Sequence, residues 1–166
     1  QLLKHNKMIN FSVPTGNFGD AYAGYIAKQM GLPINKIIIA TNSNKILSDF
    51  FNTGVYKISE VISTISPSMD IQVASNFERL LFEAVGHDPK IVVKYMNELK
   101  NNGFFKVNED ILDELKETFV GKSVKDDMTL KRIKDTYQKY KRIIDPHTAV
   151  GLEASLQSHI EGLKII

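Results

Sequence analysis

The first half of the chain alternates between short apolar runs and helix-like segments. Residues 8–13 form an apolar run that is typical of a buried strand. In residues 21–30 the apolar positions follow the i, i+3, i+4, i+7 spacing of a helix, and they are Ala23, Ile26, Ala27 and Met30. A continuous β-branched run over residues 36–41 predicts a strand that is covered on both faces. A short helix, capped by residues 42–44 and ending near Gly54, completes the alternation.

The second half of the chain has mainly helical periodicity. Ser75, followed three positions later by Glu78, has the pattern of a capping box at a helix start. The Asp-Pro pairs at 88–89 and 145–146 mark two further helix starts, because proline is favoured in the first helical turn. The predicted helices cover residues 75–86, 88–101, 108–118, 125–140 and 147–160, and strands are predicted at residues 119–124 and from Leu163 onward.

This order of elements predicts an α/β fold with a parallel sheet and flanking helices, since strands and helices that alternate with tight connections have that architecture. The mainly helical stretch over residues 86–142 is predicted to be an insertion. Both ends look abrupt, because residues 1–7 resemble the tail of a helix and residues 163–166 the opening of a strand. The sequence is therefore expected to be part of a longer protein.

The composition excludes several classes of protein. With 43% hydrophobic and 24% charged residues the chain can bury a core, and its net charge of +2 does not favour a nucleic-acid or membrane partner. It has no cysteine, which excludes disulfides and a thiol nucleophile and fits a reducing, cytoplasmic compartment. No apolar run approaches the roughly 18 residues of a membrane span. The oligomeric state is left open.

The stretch SVPTGNFGD, residues 12–20, has the pattern of an anion-binding loop between a strand and a helix. Gly16 and Gly19 let the backbone approach an anion closely and take positive φ. Asn17 can add an amide donor, and Asp20 is expected to offer its backbone N–H while its side chain caps the helix. The loop lacks the Rossmann and P-loop spacings, which favours a single phosphate. The alternative is a pair of tight turns without a ligand.

A second group of polar residues lies in SPSMDIQVASNFER, residues 66–79. Ser68, Asp70 and Arg79 are candidates for contact with a phosphate or carboxylate of a substrate, because a guanidinium binds such anions bidentately. The alternative is that Arg79 is an ordinary exposed residue of a capped helix. His147 is either a candidate base or a residue that positions the turn around it.

No metal site is predicted. The four histidines are scattered, and neither clustered carboxylates nor H-x-x-x-H spacing accompanies them. The basic stretch over residues 122–142 also contains three aspartates, so a solvated amphipathic helix is favoured over an RNA-binding one.

Three blocks of sequence resemble threonine synthases of the bacterial and fungal long-chain type. They are VPTGNFGDAYAGYIAKQMGLPINKIIIATNSN, SPSMDIQVASNFERLLFEAVG and DPHTAVGLEA, and they occur in the order of that family. The combination of PTGNFGD, SPSMDI with SNFERLLF, and DPHTAVG is more specific than any one motif. The blocks cover roughly half of the chain, and the stretches between them fit the family only loosely.

The resemblance implies a pyridoxal 5'-phosphate (PLP) enzyme of the tryptophan-synthase-like fold, fold type II, which converts O-phospho-L-homoserine and water to L-threonine and phosphate. Matching the motifs implies that Thr148 hydrogen-bonds the pyridine nitrogen, donating to an unprotonated ring. It implies a cradle for the cofactor phosphate made of Gly16, Asn17, Phe18, Gly19 and Asp20.

Part of the family pattern is missing from this sequence. The family's Schiff-base lysine lies in an N-terminal segment that nothing here matches, so no catalytic residue is assigned. The family's C-terminal strand also has no counterpart beyond Ile166. The chain is thus expected to be part of the cofactor domain and inactive by itself. A lyase-like relative, another fold type II lyase or dehydratase, and a non-catalytic phosphate-binding module stay open as alternatives.

Overall fold

A parallel sheet forms the centre of the structure, a computed structural model that describes residues 8–166. Its strands are β1 (Ile9–Pro14), β2 (Ile34–Thr41), β5 (Phe119–Ser123) and β6 (Leu163–Ile165), and a separate antiparallel pair consists of β3 (Val55–Lys57) and β4 (Phe104–Lys106). The order in the parallel sheet is β5-β2-β1-β6. The predicted α/β fold with a parallel sheet is confirmed.

Seven helices and one short 3-10 turn surround this sheet in the described residues. They are α1 (Gly19–Gln29), α2 (Ile46–Thr53), the turn Pro67–Met69, α3 (Phe77–Ala84), α4 (Pro89–Asn102), α5 (Glu109–Thr118), α6 (Asp126–Tyr140) and α7 (Pro146–Gln157). Asp88, Asn108 and Asp145 cap α4, α5 and α7 with their side chains. No helix within residues 8–166 is long and apolar enough to cross a membrane.

Strand β2 is buried on both faces, as its continuous apolar run predicts. Ile37 and Ile39 point into one core, which α1, α2 and α5 cover, and Ile38 and Ala40 point into a second core beneath α7. All four side chains are fully buried. Successive residues of a strand face opposite sides, so a strand between two helical layers needs apolar residues at every position.

An aromatic cluster fills the larger core. Phe50 contacts Phe77 at 4.8 Å between ring centroids, and Phe51 stacks on Phe119 at 4.9 Å. The ring of Tyr56 in β3 stacks on Phe105 in β4 at 5.2 Å. The short antiparallel pair is therefore held to the main core by aromatic packing as well as by its hydrogen bonds.

The predicted apolar face of α1 is only partly the buried one, since Ala27 packs against the larger core but two of its other residues are exposed. Met30 is 83% exposed and Ala23 is exposed as well, whereas Ala21 is fully buried. Tyr22 and Tyr25 pack against the aromatic core, and the ring of Tyr25 lies 5.7 Å from that of Phe119. The tyrosines carry far more apolar area than the alanines, so they decide which side of the helix faces the sheet.

Two of the predicted helix caps are also wrong. The residue before α3 is Asn76 rather than Ser75, and no side chain caps this helix. Helix α2 begins after Lys45, again without a side-chain cap. The side chains of Asn42 and Asn44, which were expected to cap it, bind Asp70 instead.

Residues 86–142 contain α4, β4, α5, β5 and α6. Strand β5 is hydrogen-bonded to β2 in the central sheet, whereas β4 pairs with β3. The division of the chain into a cofactor domain and a mainly helical insertion stays a prediction. The predicted helix tail at residues 1–7 lies outside the described residues.

Candidate functional site

The loop between β1 and α1 lines a small cavity at the carboxyl edge of the sheet. The cavity has a volume of about 200 Å³, and its walls are residues 13–21 together with Asn76. The Thr15 N–H donates to the Ala40 carbonyl at 2.8 Å, which fixes the loop to the end of β2. Ligands of open α/β sheets bind at this edge, so the position fits the predicted anion site.

Phe18 anchors the loop rather than lining it with its side chain. The residue is 1% exposed, and its ring lies 5.4 Å from that of Phe77 and 5.8 Å from that of Phe119. Its φ of 70° is left-handed, which is unusual for a bulky residue. The positive φ expected of the glycines is therefore found at Phe18, where aromatic packing offsets the strain.

Other parts of the protein approach Gly16 and Gly19 closely, and the approach to Gly16 is the tighter one. A Cβ added to Gly16 would lie 2.7 Å from the Ser68 carbonyl oxygen. A Cβ added to Gly19 would lie 3.2 Å from Asn76 Nδ2. The Asn76 N–H also donates to the Asn17 carbonyl at 3.1 Å. Asn76 is thus a residue of the cavity wall that was not predicted from the sequence.

The N-terminus of α1 keeps free donors beside the cavity. The first N–H groups of a helix have no intrahelical acceptor, and no side chain caps this helix. The expectation that the Asp20 side chain caps it is wrong, because that residue is exposed and the N-cap position is Phe18. The N–H groups of Gly19, Asp20 and Ala21 remain, at the positive end of the helix dipole.

The start of α7 meets the turn Pro67–Met69. The Ser68 N–H donates to Nε2 of His147 at 3.3 Å, while the side chain of Ser68 is exposed. Asp145 caps α7 by accepting from the N–H groups of His147 and Thr148, and it accepts from the Thr148 hydroxyl at 2.5 Å. The same turn also covers Gly16. The segments around residues 16, 68 and 147, which are far apart in sequence, therefore meet here.

Hydrogen bonds stabilise the ionised form of Asp145. The bond from the Thr148 hydroxyl, helped by the N–H groups of Thr148 and His147, lowers the pKa of Asp145 from 3.8 to about 2. Asp145 is therefore ionised throughout the neutral range.

Asp70 is the centre of a hydrogen-bond network that holds the segment before the turn. Its carboxylate accepts from the side-chain amides of Asn42 at 2.7 Å and Asn44 at 3.0 Å. It also accepts from the hydroxyl of Thr64 at 2.7 Å and from its N–H at 2.9 Å. Partial burial raises the pKa of Asp70, but these bonds outweigh burial and the net pKa is lowered. Both oxygens are engaged, so this residue supports the site more than it offers a substrate contact.

Replacing Asp70 with asparagine should destabilise the chain by roughly 1–3 kcal/mol, because the Thr64 N–H would face the new amide group and the bonds that Oδ1 accepts from Asn42 and Asn44 would lose their charge. The lowered pKa means that the stabilisation by Asp70 is present above 3.8 and lost as the pH falls through its folded-state pKa. Urea unfolding of the unsubstituted protein and the variant between pH 3 and pH 7 measures the loss of stability and its dependence on pH.

The matched control for this substitution is Asp113→Asn, which changes an exposed aspartate of α5. It should leave the unfolding free energy within about 0.5 kcal/mol. Equal effects of the two variants would contradict the structural role of Asp70.

Arg79 lies apart from the cavity. It is exposed and lines a different groove, of about 370 Å³, together with Tyr22, Phe82 and Val93. The structure therefore brings Ser68 and Asp70 to the loop and the start of α7, and places Arg79 elsewhere. In the described residues no cluster of three or more His, Asp or Glu side chains could hold a metal ion.

The fold has close counterparts among solved structures. A structure of PLP-bound threonine synthase from Brucella melitensis matches 97% of this chain with a TM-score of 0.93 and 44% sequence identity, and the match covers 34% of that protein. The sheet, the loop after its first strand and the flanking helices are thus those of a PLP enzyme of fold type II.

The sequence relatives agree with the structural match. The chain is 41% identical to threonine synthase of Pseudomonas aeruginosa over 155 residues, which are 93% of this chain and 33% of the relative. It is 45% identical to threonine synthase of Saccharomyces cerevisiae over 166 aligned positions, which are 92% of this chain and 32% of the relative. The resemblance to threonine synthases is confirmed. No family model matches the chain, which spans about a third of the length of these relatives.

Proposed function

We propose that this chain is part of a threonine synthase and provides the pocket for the phosphate and the pyridine ring of PLP. The observation that carries the proposal is the meeting of three threonine synthase motifs at one edge of the sheet. PTGNFGD forms the loop of the cavity, SPSMD forms the turn that covers Gly16, and DPHTAVG forms the start of α7 that binds this turn.

The loop has the features that a phosphate needs. The cradle consists of the backbone of Gly16, Asn17, Phe18, Gly19 and Asp20, with the uncapped N–H groups at the start of α1 as donors. The cavity of about 200 Å³ is large enough for a phosphate group. The residues present therefore fit the cofactor.

Thr148 is the proposed contact of the pyridine nitrogen. It stands in the first turn of α7, next to His147, which binds the turn over the loop. The cofactor, when bound, supplies an electron sink for proton removal from the substrate. The residues of this chain hold it in place, and the lysine that the reaction requires belongs to a segment that this sequence does not match.

The proposed substrate is O-phospho-L-homoserine, which reacts with water to give L-threonine and phosphate. Ser68 is the best placed of the proposed substrate residues, because its hydroxyl is exposed beside the loop and α7. Asp70 would act on the substrate only through the turn that it stabilises. Arg79 would contact the substrate only if part of the substrate reached the separate groove that Arg79 lines. The same proposal includes a cytoplasmic location, which the absence of cysteine supports.

The experiment is turnover by the full-length protein with added PLP, measured as phosphate and threonine released from O-phospho-L-homoserine. Equal amounts of the two products are expected. Phosphate without threonine would instead assign a lyase-like activity, and turnover of serine or threonine in its place would assign a dehydratase. Either of those results would contradict the proposal.

A further inference from the structure

His147 binds the turn Pro67–Met69 through one of its ring nitrogens. The N–H of Ser68 donates to Nε2 of His147 at 3.3 Å, so this nitrogen carries no hydrogen and the neutral ring has its hydrogen on Nδ1. Nδ1 lies 3.3 Å from Oδ1 of Asp145, and an ionised carboxylate only accepts hydrogen bonds. The neighbouring carboxylate therefore favours the one tautomer of His147 that can accept from the turn.

The middle of this turn is less firmly attached than its ends. Ser66, just before the turn, is fully buried, and Met69 at its end is 3% exposed. Ser68 is exposed, and within residues 8–166 its N–H is bound by His147 alone. Its carbonyl oxygen lies against Gly16, where a Cβ would be only 2.7 Å away. A shift of Ser68 would therefore change the contact of the turn with the loop at Gly16.

We propose that His147 is a positioning residue that holds the turn Pro67–Met69 against the phosphate loop only while its imidazole is neutral. The proposal rests on the proposed function, in which this loop binds the phosphate of PLP. A protonated imidazole has hydrogens on both nitrogens, so Nε2 would face the N–H of Ser68 as a second donor. The turn would then lose its contact with α7, and the loop would bind the phosphate less tightly.

Few charged groups surround His147. Within the described residues Asp145 is the charged side chain in contact with the imidazole, and the turn itself has no ionisable side chain. The carboxylate of Asp70, which follows the turn, is bound by asparagine and threonine side chains. Helix α6 packs on α7, and its Arg132 is paired with Glu153 further along α7.

The direction of the pH dependence separates positioning from a purely electrostatic role. Asp145 and the phosphate of bound PLP both attract an imidazolium, so a charge effect alone would strengthen PLP binding as the pH falls. The positioning role predicts the reverse. Binding that requires neutral His147 becomes weaker when the imidazole takes up a proton, because that proton must be released for the turn to bind.

The test measures the dissociation constant of PLP from the full-length protein at about pH 8 and about pH 5.5, a range in which histidine changes its charge. Two variants of His147 are compared with the unsubstituted protein. In His147→Gln the amide oxygen can take the place of Nε2 and accept from Ser68, but it does not titrate. In His147→Asn the shorter amide can replace Nδ1 as donor to Asp145 but does not reach the turn. Thermal midpoints check that both variants stay folded.

At pH 8 the glutamine variant should bind PLP within about twofold of the unsubstituted protein, and His147→Asn about 3- to 10-fold more weakly, as the loss of one hydrogen bond implies. On lowering the pH to 5.5, the unsubstituted protein should lose about 3- to 10-fold more affinity than His147→Gln. The groups of PLP titrate in both proteins, so this ratio isolates His147. The control His159→Gln, which changes an exposed histidine after α7, should keep the pH dependence of the unsubstituted protein.

Equal binding by the asparagine and glutamine variants at pH 8 would overturn the inference and leave the cofactor loop in place. So would an unsubstituted protein whose affinity stays constant or rises relative to His147→Gln as the pH falls. If the unsubstituted protein did not bind PLP at either pH, the proposed function would fail and this inference with it.

Discussion

Replacing Gly16 with valine should weaken PLP binding by the full-length protein by about 10- to 100-fold. The first side-chain atom would lie 2.7 Å from the Ser68 carbonyl oxygen, which belongs to backbone and cannot move aside cheaply. Overpacking of this kind costs about 1–3 kcal/mol, and each 1.4 kcal/mol is about tenfold in affinity. The valine side chain would push the turn Pro67–Met69 away from the loop. Fluorescence or absorbance titration with PLP measures the loss of affinity.

The control for Gly16→Val is Gly24→Ala, within α1. A Cβ there would lie 3.4 Å from Cδ1 of Ile37, an ordinary contact with a side chain, and alanine favours the helix. This variant should bind PLP as the unsubstituted protein does. Unchanged binding by Gly16→Val, with the fold intact, would remove the loop from the cofactor site.

Replacing Arg132 with methionine should destabilise the chain by about 3–5 kcal/mol, because it leaves a buried carboxylate without its cation. Nη2 and Nε of Arg132 in α6 lie 2.6 Å and 2.8 Å from Oε2 of Glu153 in α7, whose side chain is 5% exposed. Gln157 donates to the other oxygen of Glu153 at 2.9 Å. The pair fixes α7, which carries Thr148, and urea unfolding measures the loss.

Two further variants test the origin of this effect. Arg132→Met combined with Glu153→Met should recover most of the stability, since a hydrophobic pair of similar volume can replace a buried ion pair. Arg142→Met, which changes an exposed arginine after the same helix, should have an effect within about 0.5 kcal/mol. If the double variant were as unstable as Arg132→Met, the loss of stability would come from packing and not from the unpaired carboxylate of Glu153.

The elements that a local pattern determines could be predicted from the sequence. The apolar run of β2 and the capped starts of α4 and α7 are found where the periodicity and the Asp-Pro pairs predict them. The three-residue strands β3 and β4 were missed because aromatic packing on the core, which no local pattern shows, holds them.

The architecture of the site could not be predicted in the same way. Loop residues 16–20 and Thr148 follow from motifs, but the contact of Gly16 with Ser68 and that of Ser68 with His147 join residues 52 and 79 positions apart. No spacing rule marks Asn76 as a wall of the cavity, because α3 brings it there. Ser75 was preferred as a cap on local pattern, whereas the N–H of Asn76 binds the loop.

A crystal structure of the full-length protein with PLP tests the central claim most directly. The account predicts the cofactor phosphate within hydrogen-bonding distance, about 2.7–3.2 Å, of backbone nitrogens in residues 16–21, with the pyridine nitrogen next to Oγ1 of Thr148. A phosphate bound by other residues, with this loop empty and the turn at Ser68 unchanged, would contradict it.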